Sequence, residues 1–148
     1  MLEVAGLNVR YGQHRALEDA AIRVGQGEIV VILGANGAGK STTIGIICSL
    51  VLKTGGKVGI FGHDIDKDFS QAKQLVGVVP QEFNFNQFEK PIDILIHQAG
   101  YFGIPRDVAI VRAEKYLRQL GLWDKSQVPS RTLSGGMKRR LLIGKALV

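Results

Sequence analysis

The stretch Glu28-Ile-Val-Val-Ile-Leu33-Gly34-Ala35-Asn36-Gly37-Ala38-Gly39-Lys40-Ser41 decides how the rest of the chain is read. Glu28–Leu33 is a continuous β-branched run, the pattern of a strand buried on both faces of a parallel sheet. Gly34–Ser41 fits Gly-x-x-x-x-Gly-Lys-[Ser/Thr], and helical character follows from Lys40 to about Leu50. Each position has a physical task. Gly34, Gly37 and Gly39 let the backbone curl so that successive N–H groups, with those of Ala35, Asn36 and Ala38, face a phosphate. A helix starting at Lys40 aims its positive end at the same anion. Lys40 suits the β- and γ-phosphates, Ser41 suits Mg²⁺, and Thr42 can add a phosphate hydrogen bond. Even with doubled Gly usage, the pattern arises by accident at a rate on the order of 1–2% over such a chain. A nucleotide-phosphate site is therefore the expectation.

On the N-terminal side, Leu2–Val9 reads as a strand ending at Tyr11-Gly12, and Ala16–Val24 as a second, closed by Gly25-Gln-Gly27. On the C-terminal side, Lys57–Phe61 and Leu75–Val79 read as short strands closed by Gly62 and Pro80. The pattern then changes period. Ile92, Leu95, Ile96, Ala99 and Phe102 predict a helix stopped by Pro105, and Ile110, Ala113, Leu117 and Leu120 a second, ending near Gly121. The polar loop Asp124–Thr132 leads to a last helix with Ser134 as a favourable N-cap.

Composition narrows the class. The 148 residues suit one domain with a single core, and 45% hydrophobic with 22% charged residues excludes a disordered chain. No apolar stretch approaches the ~18 residues of a membrane span, and Met1-Leu-Glu opens no signal peptide. A lone Cys48 allows no internal disulfide, which suits a reducing compartment. The expectation is a soluble intracellular domain. The net charge of +6 favours polyanions, yet Lys138-Arg139-Arg140 is the densest basic run and reads first as a solvated helix face, ahead of nucleic-acid binding. His14, His63 and His97 lack partners at metal-ligand spacing. Cys48 reads as a small buried hydrophobe, and Trp123 as packing at the end of the helical region.

A guanine-binding protein would carry Asn-Lys-x-Asp and Asp-x-x-Gly, and neither occurs. Instead, about a hundred residues past the phosphate loop, stands Leu133-Ser134-Gly135-Gly136-Met137-Lys138-Arg139-Arg140. With this pair of motifs the chain resembles the ATP-binding cassette (ABC) ATPases, whose signature is Leu-Ser-Gly-Gly-[Gln/Met/Glu]. The resemblance runs from Leu2 to Val148. It implies an α/β P-loop fold of ABC type: a mixed sheet around the phosphate-loop strand plus a helical subdomain. The expected division is a strand-rich core over 1–90, a helical subdomain over 91–133 and a signature helix over 134–148.

The resemblance also implies roles. Tyr11 lies where the family stacks an aromatic ring on adenine. Gln81, in Val-Val-Pro-Gln-Glu, holds the Q-loop position, whose amide contacts Mg²⁺ and the attacking water. Lys40 and Gln81 are thus the catalytic candidates, and Ser41 and Gln81 the metal candidates. Leu133–Met137 would face the γ-phosphate on a second nucleotide-binding domain, in a head-to-tail dimer sandwiching two ATP. The helical subdomain would dock on a transmembrane permease, holding the chain at the inner face of the membrane. The implied function is an ATP-binding subunit coupling hydrolysis to transport. The alternatives are a soluble ABC ATPase outside transport and a catalytically dead fragment.

Two departures qualify this. The sequence stops at Ala146-Leu-Val148, within the signature helix, whereas family members continue into the Walker B strand and its glutamate. The expectation is a C-terminally incomplete domain with an open sheet edge and little hydrolysis of its own. In addition, Asn8–Ser41 resembles branched-chain amino-acid importer ATPases, and the residues from Thr42 onward resemble multidrug-type exporter ATPases. Export is the favoured direction, and a recombined gene or mosaic divergence would both produce the change.

Overall fold

Asn8 shows how the first part of the chain is organised. Its side-chain amide donates to the Gly6 carbonyl at 2.7 Å, and its Oδ1 accepts from the Asp19 amide at 3.1 Å. Its own carbonyl takes the Thr54 N–H at 2.9 Å and hydroxyl at 3.0 Å. These bonds sit where β1 (Leu2–Tyr11) shifts register against both β2 (His14–Val24) and β3 (Gly55–Ile60). With β4 (His63–Asp64) the sheet runs β2-β1-β3-β4, every pair antiparallel.

The computed structural model describes residues 1–148, which form two compact units, Met1–Val76 and Gly77–Val148. In the first, Val4, Leu7, Val9, Val58 and Ile60 are buried together with Ile46 of α1 (Lys40–Ile47) and Ala72 of α2 (Phe69–Gln74). Close approach is built in at Gly45, where a Cβ would stand 2.8 Å from Val51 Cγ2.

Two expected strands do not form. Glu28–Leu33 and Leu75–Val79 lie outside every ladder, so the phosphate-loop segment is not a member of the paired sheet. Ile29 is 93% exposed and Leu33 85%. A β-branched run suits a pleated surface but becomes a strand only when a neighbour supplies its hydrogen-bond partners, and no segment of residues 1–148 does so. Helix α1 also ends sooner than expected, at Ile47, with Cys48 as its C-cap. Cys48 is half-buried, and that burial raises its thiol pKa above the ordinary value.

In the second unit, α3 (Pro91–Tyr101), α4 (Arg106–Gln119) and α5 (Gly135–Leu147) share a core of Leu95, Ala99, Ala109, Ala113, Leu117, Leu122, Leu133 and Leu141. This unit opens at Gly77, ahead of α3. Residues 86–89 are bound to the turn Ser130–Thr132: Ser130 donates its amide and hydroxyl to the Glu89 carbonyl at 2.9 and 2.8 Å, and Arg131 N–H reaches the Gln87 carbonyl at 2.7 Å.

The helical pattern needs two corrections. The buried stripe of α4 is Ala109, Ala113 and Leu117, spaced by four, whereas Ile110 is 40% exposed. In α3, Ile94 joins Leu95, Ile96 and Ala99 in the core, while Phe102 is exposed. Helix α3 ends before Pro105 is reached, through Ile104 N–H to the Ala99 carbonyl and Gly103 N–H to that of Gly100; Pro105 instead opens α4. Trp123 packs against this core as expected, with the Arg118 guanidinium 4.3 Å from its ring centroid.

Urea unfolding tests the α4 assignment. Leu117→Ala is expected to cost about 2–5 kcal/mol, and Ile110→Ala less than about 1 kcal/mol; the reverse order would place the stripe one residue later.

Candidate nucleotide-phosphate site

Gly39 sets the geometry of the phosphate loop. It caps α1 at φ 85°, and a Cβ there would lie 2.5 Å from Leu17 Cδ1 and 3.2 Å from the Ala16 carbonyl oxygen. Glycine is thus demanded twice, by the left-handed backbone and by the approach of β2. Its carbonyl accepts the Thr43 amide at 2.8 Å and the Thr43 hydroxyl at 2.9 Å, fixing the first turn. Ala38 N–H closes a small turn on the Ala35 carbonyl at 3.2 Å.

This leaves the amides of Gly34, Ala35, Asn36, Gly37, Gly39, Lys40, Ser41 and Thr42 with no hydrogen-bond partner in the protein. They belong to the loop and to the positive end of α1, the arrangement that suits an anion. Lys40 folds back over the loop, its Nζ donating to the Gly34 and Ala35 carbonyls at 2.7 Å each. The ammonium is therefore held at the loop by its own backbone. Asn36 and Ser41 are exposed, and Thr42 half-buried. Tyr11 ends β1 opposite His14 in the hairpin and is 55% exposed, leaving a ring face free.

The other candidates lie in the second unit. Leu133 is buried, and Ser134 is the N-cap of α5, its hydroxyl accepting the Met137 amide at 3.3 Å. The Ser134 carbonyl accepts from Lys138 N–H at 2.9 Å, while the Gly135 and Gly136 amides have no partner. A Cβ on Gly135 or Gly136 would meet nothing within 4 Å, and neither has a positive φ. No contact within the chain requires glycine there, although glycine disfavours a helix. Gln81 is exposed beside Pro80, whose carbonyl accepts the Arg139 guanidinium at 2.6 Å.

The ABC transporter family profile matches residues 17–148 of the chain. The chain belongs to that family. The "Linearmycin resistance ATP-binding protein LnrL" of Bacillus subtilis strain 168 is 35% identical over 148 residues, all of this chain and 48% of its own length. The "Nod factor export ATP-binding protein I" of Ralstonia nicotianae is 33% identical over 148 residues, again all of this chain and 46% of that protein. A solved structure titled "Structure of ATP binding subunit of ABC transporter" superposes with a TM-score of 0.83 at 28% identity, covering 98% of this chain and 60% of that one. The chain thus spans about half the length of the curated relatives it matches. Its α/β fold is that of ABC ATP-binding subunits.

For this ABC domain, sequence reasoning missed the residues that build the loop from outside its motif. Leu17 and the Ala16 carbonyl close the space at Gly39, and Thr43 completes the turn. Thr43, three residues beyond Lys40 in the helix, was legible as a back-bonding threonine; the approach of β2 had no local signal. The histidines remain outside any cluster able to hold a metal ion, His97 lying 3.4 Å from Glu89 and His63 3.9 Å from Asp68.

Two glycine substitutions give opposite outcomes in denaturant unfolding. Gly39→Ala is expected to cost at least about 1–2 kcal/mol from the left-handed backbone alone, with displacement of Leu17 added. Gly135→Ala is expected to stabilise by about 0.5 kcal/mol. A third variant, Ser134→Ala, should lose about 1 kcal/mol with its cap.

Proposed function

We propose that the chain is the nucleotide-binding part of an ATP-driven transporter subunit, in which ATP hydrolysis is coupled to movement of a substrate by a membrane permease. The observation that carries this reading is the phosphate loop: between Gly34 and Thr42 every amide but that of Ala38 lacks a protein partner, and the Lys40 ammonium is held only by backbone carbonyls. Such a donor set fits a polyphosphate and fits little else.

In this reading the amides of Gly37, Gly39, Lys40, Ser41 and Thr42 donate to phosphate oxygens. Lys40 exchanges its two carbonyl acceptors for β- and γ-phosphate oxygens, at little cost in reorganisation because the side chain already lies over the loop. Tyr11 offers its exposed ring to the base by stacking, which any purine accepts. The Ser41 hydroxyl and the Gln81 amide oxygen are neutral oxygen donors of the kind Mg²⁺ takes alongside phosphates and water, so the residues fit the metal. The chemistry Mg²⁺ supplies when bound is neutralisation of charge on the β- and γ-phosphate oxygens.

The signature residues support a second half of the site. Ser134 shapes the start of α5, and the Gly135 and Gly136 amides are presented without side chains around them. That surface suits a γ-phosphate carried by another nucleotide-binding domain, in a head-to-tail pair. Partnership with a permease, and a position at the inner face of the membrane through it, rest on family membership and on the names of the relatives. No helix of the chain is long and apolar enough to cross a membrane. Export is the direction supported by the residues from Thr42 onward and by the Nod factor relative. The relatives' names point to unlike cargo, so the substrate of this system is not carried over.

A thermal melt of the 148-residue chain with and without Mg-ATP tests the reading. At a hundredfold excess over Kd, ATP is expected to add about 2.7 kcal/mol of stability, and Lys40→Ala to lose most of that gain. An equal shift in both proteins would remove Lys40 from the site, and no shift in either would sink the nucleotide reading for this chain.

A further inference from the structure

The cations of α5 do not form a free basic face. Arg139 donates to the Pro80 carbonyl at 2.6 Å, Lys145 to Asn84 Oδ1 at 3.1 Å, and Lys138 to Gln87 Oε1 at 3.5 Å. Arg140 turns the other way and donates to the Leu120 carbonyl at 2.7 Å, at the C-terminal end of α4. Three of the helix's four cations thus reach one short segment, residues 80–87, which contains Gln81. That segment has no helix or strand of its own, and the backbone N–H groups of Gln81–Asn84 make no hydrogen bond within the chain. Just before it, Gly77 runs so close to the Ala146 carbonyl at the end of α5 that a Cβ could not be accommodated.

We infer that Arg139 is a positioning residue for Gln81, holding the peptide that joins Pro80 to Gln81 against the signature helix. The proposal rests on the reading of Gln81 as a Mg²⁺ contact. The Pro80 carbonyl belongs to the same rigid peptide plane as the Gln81 nitrogen, so fixing that oxygen restricts the backbone from which the glutamine side chain projects. The bond is charge-assisted and 2.6 Å long, which places it among the stronger hydrogen bonds available to a carbonyl. Lys145 and Lys138 hold later points of the same segment, so the stretch is pinned along its length. The signature motif begins six residues before Arg139 and runs into the same helix. Displacing α5 therefore displaces Gln81, and the helix that presents Gly135 and Gly136 also sets the place of the metal-contacting amide. Lysine keeps a cationic donor for the Pro80 carbonyl; methionine keeps an unbranched apolar stem and removes the donor.

Backbone ¹⁵N relaxation of the 148-residue chain tests the tether directly. The order parameter of Gln81 is expected near the rigid value of ~0.85 in the parent and in Arg139→Lys, and below ~0.6 in Arg139→Met. Lys138→Met, which frees Gln87 and the Phe83 ring but keeps the Arg139 bond to Pro80, should leave Gln81 rigid. A Gln81 that stays rigid in Arg139→Met overturns the proposal. The functional arm compares ATP affinity in Mg²⁺ with that in EDTA. Arg139→Met should weaken the Mg²⁺ enhancement roughly tenfold or more, as loss of a residue supporting a metal ligand does, with affinity in EDTA unchanged. The double variant with Gln81→Ala should lose no more than Gln81→Ala alone; additive losses overturn the proposal. If Gln81→Ala by itself leaves the Mg²⁺ enhancement intact, the metal reading of Gln81 is what fails, and the order parameter alone then decides the tether.

Discussion

The left-handed turn at Gly39 is the constraint on which the candidate phosphate site depends. Ala16 and Leu17 of β2 close off the space where a side chain would project, so only glycine fits the turn at that position. The turn begins α1, and the start of α1 determines which amides are left over. Because Thr43 ties both its amide and its hydroxyl to the Gly39 carbonyl, the first turn is held without help from any bound group. The donors are consequently arranged before an anion arrives, which is the condition under which hydrogen bonds to charge count most. Lys40 adds a further tie, its ammonium bridging the Gly34 and Ala35 carbonyls.

In the second unit α5 has the corresponding organising part. One side of it enters the core through Leu141 and Leu142, and its cations are directed onto the chain's own acceptors. Burial lowers the pKa of the Lys145 ammonium below the ordinary lysine value, in keeping with a side chain turned inward. Arg139 and Arg140 are exposed, so the run is a solvated helix face, and one whose cations also donate to acceptors of the chain itself. Part of the net charge of +6 is structural, and counting it as attraction for external partners overstates what the surface offers.

The phosphate loop, β1, β2, β3, the helical region and the Ser134 cap were legible because each carries a local signal: a motif, an alternation or a capping residue. The misreadings share a different origin. Glu28–Leu33 has a strand's composition, but a ladder is a property of two segments, and composition belongs to one. Ile110 attracted the helical stripe because it is large, whereas α4 packs through Ala109 and Ala113, whose small side chains let the helices come close. Size was mistaken for burial. The contacts of Arg139, Lys138 and Lys145 span 51 to 61 residues of sequence, and a basic run has the same appearance whether its partners are water, phosphate or a distant carbonyl.

The uncovered run Glu28–Leu33 has a consequence for how the chain behaves in concentrated solution. Its one charge stands at the end, it contains neither proline nor glycine, and its β-branched residues project into water. Unpaired backbone polar groups beside such side chains form a template onto which an identical segment can stack, the pattern that initiates cross-β growth. Within residues 1–148 the segment directly ahead of the phosphate loop is therefore the one most open to pairing with another strand.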